Sequence, residues 1–281
     1  MTLREANNAL KSQLSEIEDG DIEAGYILES ATGFNRTQML FNFESLISDG
    51  VFGKAMAMAD RRLAGEPIQY ILGEWDFMGF PFKVGKGVLI PRPETEILVE
   101  MILDKIKDIK EPVVYDLCSG SGCIGLSIKK LRNDARVFLV EKSAEALSYL
   151  KTNHSNLCKE LENTTVIQGD ILCLDSFFDL PLADVIVSNP PYIRSDEIKT
   201  LQGEVLEEPI MALDGGADGL VFYKALVNDW SAKLKENGFM AFECGEDQAQ
   251  DICNLFEKIN FNNETVNDYN NIPRLVVGRR K

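Results

Sequence analysis

VVYDLCSGSGCIGLSIKKL, residues 113–131, is the stretch that decides the fold. It begins as a short apolar run, passes through a turn that contains Gly120 and Gly122, and continues as a segment with helical character. A strand, a tight glycine turn and a helix in this order form the repeating unit of a parallel sheet that is covered by helices. The stretch therefore predicts an α/β domain.

Further apolar runs beyond residue 95 extend this pattern. The strand candidates are VVYDL, ARVFLVE, TTVIQGD, ADVIVSN and GFMAFE, and the segments with helical character lie near 122–132, 143–157, 217–236 and 246–258. In the tail, ETVNDY and RLVVGRR are joined by a polar loop instead of a helix. We predict an α/β fold with a mostly parallel, seven-stranded sheet and an antiparallel C-terminal hairpin.

The chain before residue 75 has a different pattern. Its apolar residues recur at helical spacing, in two sets: Leu3, Leu10, Leu14 and Ile17, then Phe52, Ala55, Met56, Ala59 and Leu63. Asp21 and Asn35 are candidate caps of two further helices. The segment from Trp75 to Ile90 then alternates with period two around glycines. We predict a small helical bundle at 1–75, a β-hairpin linker at 76–95 and the α/β domain at 96–281.

Composition narrows the classes of function. The formal net charge of −16 argues against a protein that binds phosphate backbones, because such proteins usually need a basic face. A run of eighteen apolar residues and a signal peptide are both missing from the sequence, so we expect a cytoplasmic protein without a membrane span.

The cysteines and the single histidine further limit the chemistry. Six cysteines are scattered without a CxxC pair, and His154 lies in a polar stretch. This arrangement disfavours a zinc site, a disulfide framework and a histidine-based catalytic triad. We expect free thiols and no metal.

Polar residues follow several of the predicted strands, at the edge where ligands bind in such sheets. The turn Cys118-Ser119-Gly120-Ser121-Gly122 follows the first strand, and its glycines permit close approach to a ligand. Glu141 ends the second strand, where it can accept ribose hydroxyl hydrogens or simply lie at the surface. Asp170 follows the third strand, where it can accept from an adenine amino group or close an Asx-turn. Together these residues indicate a nucleotide-like ligand.

The fourth strand ends in Asn189, Pro190, Pro191 and Tyr192, a turn that accepts hydrogen bonds but hardly donates them. Each proline lacks a backbone N–H, so the turn offers the Asn189 side-chain oxygen and the Pro190 carbonyl. Such a surface suits a planar –NH₂ group on a carbonyl or an aromatic ring. The turn therefore points to chemistry on an amino nitrogen.

These features resemble the class I S-adenosylmethionine-dependent methyltransferases. More narrowly, the chain is similar to the release factor glutamine methyltransferase family, also called HemK or PrmC. The similarity spans nearly the full length through EPIQYILGEWDFMGFPFKVGKGVLIPRPETE at 66–96, DLCSGSGCIGL at 116–126, SNPPYI at 188–193, EEPIMALDGGADGL at 207–220 and FECGEDQ at 242–248. Cys118 departs from the glycine that many relatives have there.

The resemblance implies S-adenosylmethionine as the cofactor and peptide chain release factors as the protein substrate, with the glutamine of their Gly-Gly-Gln loop as the target. We also expect a monomer that does not bind nucleic acid directly, in which the helical bundle at 1–75 docks the protein substrate or simply stabilises the catalytic domain. The methionine portion of the cofactor would contact Cys118 and the turn up to Gly122, the ribose Glu141, and the adenine Asp170 with Ile171; Asn189 completes this site. Arg92 and Thr95 have two open roles: a cover over the cofactor, or a salt bridge and a helix cap.

The turn at Asn189 also suggests how an amide nitrogen could be methylated. If the Asn189 oxygen and the Pro190 carbonyl bind both amide hydrogens, the nitrogen lone pair can be aimed at the sulfonium methyl group. Orientation of this kind supplies roughly 7–11 kcal/mol of barrier reduction. Tyr192 would stack on the flat amide, and Pro191 would fix the shape of the turn. The main alternative is a nucleic-acid amino methyltransferase acting on adenine N6 or guanine N2, because these bases present the same –NH₂ geometry.

Overall fold

Two structural units divide the chain, Met1–Glu74 and Trp75–Lys281. The computed structural model describes residues 1–158, 162–201 and 203–280. The first unit is built from helices α1 (Leu3–Gln13), α2 (Gly20–Thr32), α3 (Arg36–Phe41), α4 (Asp49–Leu63) and α5 (Ile68–Leu72). Its core contains apolar side chains from all five, among them Leu10, Ile27, Met39, Ala59 and Ile68. This unit is therefore the helical bundle that the N-terminal periodicity predicts.

Side-chain capping explains where α3 begins, but not where α2 begins. The Asn35 side chain accepts from the backbone N–H of Gln38, which closes a capping box at the start of α3. The sequence predicts Asp21 as the cap of α2, and this prediction is wrong, because the helix already begins at Gly20, after Asp19 in a left-handed conformation. Asp21 instead lies in the first turn, where an acidic side chain favours the helix dipole.

The second unit begins with a hairpin and a helix. Strands β1 (Glu74–Phe77) and β2 (Phe80–Lys83) form a two-stranded sheet whose turn has positive φ at Met78 and Gly79. Helix α6 (Pro93–Lys105) follows, with Pro93 in its first turn. This helix is missing from the segments that we derived from the sequence. The sequence does contain helix signals here: a proline stands at the start, and Leu98, Val99 and Ile102, which are buried, recur at helical spacing.

A doubly wound sheet forms the rest of this unit. It contains β3 (Val113–Leu117), β4 (Arg136–Glu141), β5 (Thr164–Gln168), β6 (Ala183–Ser188), β7 (Leu234–Glu243), β8 (Phe261–Asn267) and β9 (Pro273–Arg280). Within the described residues these seven strands pair in the order β5-β4-β3-β6-β7-β9-β8. The first five are mutually parallel, and β9 runs antiparallel to both β7 and β8. The predicted fold class is confirmed.

Helices cover both faces of this sheet. These are α7 (Cys123–Leu131), α8 (Ala144–Leu157), the short α9 (Ile210–Leu213), α10 (Val221–Asn228) and α11 (Ala249–Lys258). Alternate strand residues join two cores: Tyr115, Phe138 and Met240 pack with side chains of α10 and α11, whereas Val114, Val137 and Phe239 pack with α6, α7 and α8. Burial on both faces explains why the central strands β3, β4 and β6 are mostly apolar.

One predicted helix differs from the structure. The segment 217–236 contains α10, but the helix ends at Asn228, a 3₁₀ turn follows at Trp230–Lys233, and β7 already begins at Leu234. Trp230 is buried, and its indole N–H donates to the Ile171 carbonyl at 2.8 Å. We attribute the early helix end to this tertiary contact, which local periodicity does not reveal. Among the described helices, none combines the length and the apolarity needed to cross a membrane.

Candidate active site

A cavity of about 950 Å³, including its mouth, opens at the carboxyl ends of β3, β4 and β6. Three sequence features meet there: the turn after β3, the acid at the end of β4, and the turn after β6. The loop that precedes α6 and the segment around α9 form other parts of the wall.

The glycine-rich turn is held from behind by hydrogen bonds. The Ser119 backbone N–H donates to the Val140 carbonyl at 3.0 Å, and the Gly122 N–H donates to the Ser119 carbonyl at 2.7 Å. Cys118 adopts a left-handed φ of 62°, although it carries a Cβ. The cysteine therefore keeps the backbone conformation for which glycine is better suited.

Two acidic side chains lie in the cavity wall. The Glu141 carboxylate accepts from the backbone N–H of Gly120 at 2.8 Å and from that of Ser143 at 2.7 Å. Burial raises the pKa of Glu141, and these backbone hydrogen bonds oppose the rise. Asp170 closes an Asx-turn with the Leu172 N–H and pairs with Lys142 at 2.8 Å. The structure thus brings the two acids together and shows that each also supports the local backbone.

Asn189 is anchored through its nitrogen. Its side-chain Nδ2 donates to Thr95 Oγ1 at 3.3 Å, which leaves Oδ1 as the acceptor end of the amide. Within the described part of the chain, neither Asn189 Oδ1 nor the Pro190 carbonyl accepts a recorded hydrogen bond. The two acceptors expected from the sequence are therefore not engaged by other described groups.

The structure places most of the predicted site residues in the cavity wall. The lining includes Cys118, Ser119, Gly120, Ser121, Glu141, Asp170, Ile171, Asn189 and Pro191. Gly122, Pro190 and Tyr192 are not part of the lining. A Cβ on Gly122 would lie 2.3 Å from Leu150 and 2.9 Å from Leu126, so this glycine permits close helix packing. Tyr192 is half-buried and packs against the core that contains Tyr223.

Several residues of the site were missed from the sequence. Glu208 is almost fully buried, accepts from the Ile90 N–H at 3.0 Å and forms an ion pair with Arg92. It ties the loop before α6 to the segment that begins at Pro209, and both line the cavity. Arg92 thus makes the structural salt bridge that was one of its two open roles. The contact joins residues 116 positions apart, so no local pattern reveals it.

Thr95 belongs to a second buried contact. It lies in the first turn of α6 and donates its hydroxyl to Glu243 at 2.6 Å. Glu243 ends β7 and is 3% exposed. This carboxyl was not singled out in the sequence, where it appears only as part of FECGEDQ.

Asp116 is a buried acid beneath the glycine turn. Its Oδ2 accepts from the Gly125 N–H at 2.9 Å, whereas Oδ1 is buried without a recorded partner among the described residues. Burial raises the pKa of this carboxyl to about 7. In the unfolded chain it titrates near the ordinary aspartate value of about 3.9, so the folded state favours the protonated form.

We expect Asp116→Asn to stabilise the fold increasingly as the pH rises. The native pKa lies above the unfolded one, so wild type loses stability between about pH 4 and pH 7, and the uncharged asparagine does not. Asparagine keeps an oxygen for the Gly125 N–H. The melting temperature of the variant minus that of wild type should grow by several degrees from pH 5 to pH 8. A difference that stays constant over this range would contradict the assignment, because packing effects do not depend on pH.

The doubly wound sheet with its antiparallel C-terminal hairpin, and the glycine turn and acids at its edge, define a class I methyltransferase. The chain is 37% identical to the release factor glutamine methyltransferase of Clostridium acetobutylicum, over 99% of this chain and 97% of that protein. The chain belongs to the release factor glutamine methyltransferase family.

Other comparisons agree with this placement. The family model of the PrmC N-terminal domain matches residues 2–73, and that of the methyltransferase small domain matches 93–229. The release factor glutamine methyltransferase of Moorella thermoacetica is 33% identical over 100% of this chain and 99% of that protein. The chain is therefore an enzyme that transfers methyl groups.

The matches to solved structures support the fold and nothing beyond it. The hMettl16 catalytic domain, in complex with MAT2A 3′UTR hairpin 6, matches with a TM-score of 0.58 and 14% identity over 83% of each chain. The T. thermophilus 16S rRNA N2 G1207 methyltransferase, in complex with AdoMet and guanosine, matches with a TM-score of 0.52 and 16% identity. That match covers 74% of this chain and 50% of the other.

Proposed function

We propose that this enzyme transfers a methyl group from S-adenosylmethionine to the side-chain nitrogen, N5, of the glutamine in the Gly-Gly-Gln motif of peptide chain release factors. The observation that carries the proposal is the orientation of Asn189, whose Nδ2 donates to Thr95 and whose Oδ1 remains an acceptor. The names of the relatives that match over nearly the full chain point to the same substrate.

The donors and acceptors in the cavity fit S-adenosylmethionine. Glu141 and Asp170 are carboxylates whose oxygens have lone pairs beyond those already used, so they can accept ribose hydroxyl and adenine amino hydrogens. Ile171 and Phe222 supply apolar wall beside them. Ser121 Oγ is buried without a recorded partner among the described residues and lies in the cavity wall. When bound, the cofactor supplies the methyl group on a positively charged sulfur.

The residues of the turn after β6 hold the target amide. Asn189 Oδ1 and the Pro190 carbonyl accept its two hydrogens, which fixes the plane of the group and directs the nitrogen lone pair towards the methyl group. As the N–C bond would form and the methyl–sulfur bond would break, the same oxygens would stabilise the positive charge that develops on nitrogen, and the sulfur would leave as a neutral thioether. The nitrogen proton then leaves to water. Tyr192 is assigned to the aromatic contact with the flat amide, and Pro191 to the shape of the turn.

The surface beside the cavity favours a protein substrate over a nucleic acid. Ile210 is 61% exposed, and Met211, which also lines the cavity, is 53% exposed. The cations in the lining, Arg92 and Lys142, form ion pairs with Glu208 and Asp170. An enzyme that flips a base out of a duplex needs unpaired cations along a groove, and an apolar rim suits a polypeptide loop.

We assign the helical unit at 1–75 to docking of the release factor. Large apolar side chains are exposed on it: Leu40 is 64% exposed, Leu46 80% and Phe41 86%. Exposed apolar side chains of this size often mark contacts with other proteins. Docking by this unit predicts that an intact release factor has a lower KM than a short Gly-Gly-Gln peptide.

The decisive test is a methylation assay of the full chain with labelled S-adenosylmethionine. The acceptors are intact release factors, a Gly-Gly-Gln peptide, DNA and RNA, and the modified residue is mapped by mass spectrometry. We expect label on the glutamine N5 of the release factor. Label that enters only DNA or RNA would establish the amino methyltransferase of nucleic acids instead.

Glu141→Gln should weaken cofactor binding about tenfold to a hundredfold. The substitution keeps the size of the side chain but removes the charge and one acceptor, and hydrogen bonds to charged groups are worth about 1.5–3 kcal/mol. The remaining oxygen must also serve the N–H groups of Gly120 and Ser143. Calorimetric titration with S-adenosylhomocysteine measures the change. Glu145→Gln, on an exposed side chain of α8, is the matched control. Equal affinity of wild type and Glu141→Gln would remove Glu141 from the binding site.

A further inference from the structure

A buried carboxyl lies behind the acceptor turn. Glu243 at the end of β7 accepts from Thr95 Oγ1 at 2.6 Å, and Thr95 Oγ1 accepts from Asn189 Nδ2 at 3.3 Å. The three side chains come from β7, from α6 and from the turn after β6. Thr95 and Glu243 are 2% and 3% exposed, so water does not compete strongly for these contacts.

The contacts have a direction. A threonine hydroxyl has one hydrogen, and an ionised carboxylate can only accept, so Thr95 must donate to Glu243. The oxygen of Thr95 can then only accept from Asn189, which requires the NH₂ end of the asparagine amide. The opposite end, Oδ1, is thereby left as the acceptor. Without the carboxylate, Thr95 could equally donate to Oδ1, and the NH₂ end would face the substrate.

We propose that Glu243 and Thr95 are positioning residues that fix which end of the Asn189 amide faces the substrate. The proposal rests on the function proposed above, because an acceptor is useful only if the target carries –NH₂. A reversed Asn189 would place its own NH₂ against the –NH₂ of the substrate, and neither group could accept. We call the chain of contacts from Glu243 through Thr95 to Asn189 the relay. It therefore decides whether the turn recognises an amino group at all.

The protonation state of Glu243 makes this role dependent on pH. Burial raises its pKa to about 7, and the hydrogen bond from Thr95 opposes that rise. Glu243 interacts electrostatically with six other ionisable groups among the described residues: Glu94, Cys123, Tyr192, Tyr223, Cys244 and Arg274. A protonated Glu243 can donate to Thr95 and reverse the relay, so kcat should rise with pH as this carboxyl ionises.

Isosteric substitutions test the relay through turnover. Thr95→Val removes the hydroxyl and keeps the shape, and Thr95→Ser keeps the hydroxyl. We expect Thr95→Val and Glu243→Gln to lower kcat for release factor methylation about tenfold to a hundredfold, with much smaller changes in KM. Thr95→Ser should recover most of the loss. The kcat of Glu243→Gln should also lose the rise near pH 7. Wild-type kcat in Thr95→Val or in Glu243→Gln would overturn the proposal.

A second measurement does not depend on the substrate. The side-chain NH₂ of Asn189, identified in ¹⁵N spectra by its absence in Asn189→Ala, should exchange slowly with deuterated water in wild type and in Thr95→Ser. It should exchange faster in Thr95→Val. Equal exchange in all three proteins would refute the relay, whatever the enzyme methylates. The wild-type enzyme could fail to methylate any release factor while the three proteins still differ in exchange as expected. That outcome would refute only the proposed substrate.

Discussion

Asn189→Ala should lower kcat for release factor methylation by roughly a hundredfold to a thousandfold. This is the range for removing one preorganised hydrogen-bonding group aimed at charge that develops in the transition state. The side chain supplies the acceptor Oδ1, and its Nδ2 is already held by Thr95. Alanine leaves the Pro190 carbonyl as the remaining acceptor of the turn, so the target nitrogen can rotate away from the methyl group.

The loss should appear in turnover much more than in cofactor binding. Glu141, Asp170 and the glycine turn are unchanged, so the Kd for S-adenosylhomocysteine should move by less than about fivefold. Asn228→Ala is the matched control, because Asn228 is exposed at the end of α10. Near-normal kcat in Asn189→Ala, or an effect confined to cofactor affinity, would show that this side chain does not hold the reacting amide.

The order of the elements was predictable because each strand has its own local signal. The runs VVYDL and ADVIVS are buried on both faces of the sheet, so apolar residues predominate in each run and the strands are easily recognised. Residues that follow parallel strands meet at one edge, which places Glu141, Asp170 and Asn189 around one cavity. The part of the site that depends on topology could therefore be derived from sequence order.

The long-range side-chain contacts that hold the site in place were not predictable from sequence order. Thr95 and Asn189 are 94 positions apart, and Thr95 and Glu243 are 148 apart. Their contacts depend on how α6 packs against the strand ends, which no local pattern encodes. In the sequence, Glu208 is likewise one of several acidic residues in its segment, although in the structure its side chain is 2% exposed and paired with Arg92. Burial of a charge is a tertiary property, so the sequence alone leaves these residues indistinguishable from surface acids.

Gly215 forms the back of the acceptor turn. A Cβ at this position would lie 2.8 Å from the Tyr192 Cα, 2.9 Å from the Pro191 carbonyl oxygen and 2.9 Å from the Gly219 carbonyl oxygen. All three are backbone atoms, which cannot rotate away as the end of a side chain can. The turn is also joined to this segment by hydrogen bonds from the Ile193 N–H to the Leu213 carbonyl and from the Gly215 N–H to the Ile193 carbonyl.

We therefore expect Gly215→Ala to displace the turn and lower kcat by about a hundredfold. A displacement of about 1 Å in a residue that positions a substrate can cost this much. Overpacking of this kind also costs about 1–3 kcal/mol of stability, which corresponds to a decrease in melting temperature of roughly 2–12 °C. Turnover is measured below the melting transition, so that unfolding does not contribute to the loss.

Gly203→Ala provides the matched control. A Cβ on Gly203 meets nothing within 4 Å, so the same chemical change should leave both kcat and melting temperature nearly unaltered. The cavity wall formed by Glu141 and Asp170 is not displaced in Gly215→Ala, and S-adenosylhomocysteine should still bind within a few-fold of wild type. A variant that melts early but turns over normally would mean that the turn tolerates the shift. Catalysis would then not depend on the close placement of Asn189 and Pro190 that the proposed mechanism requires.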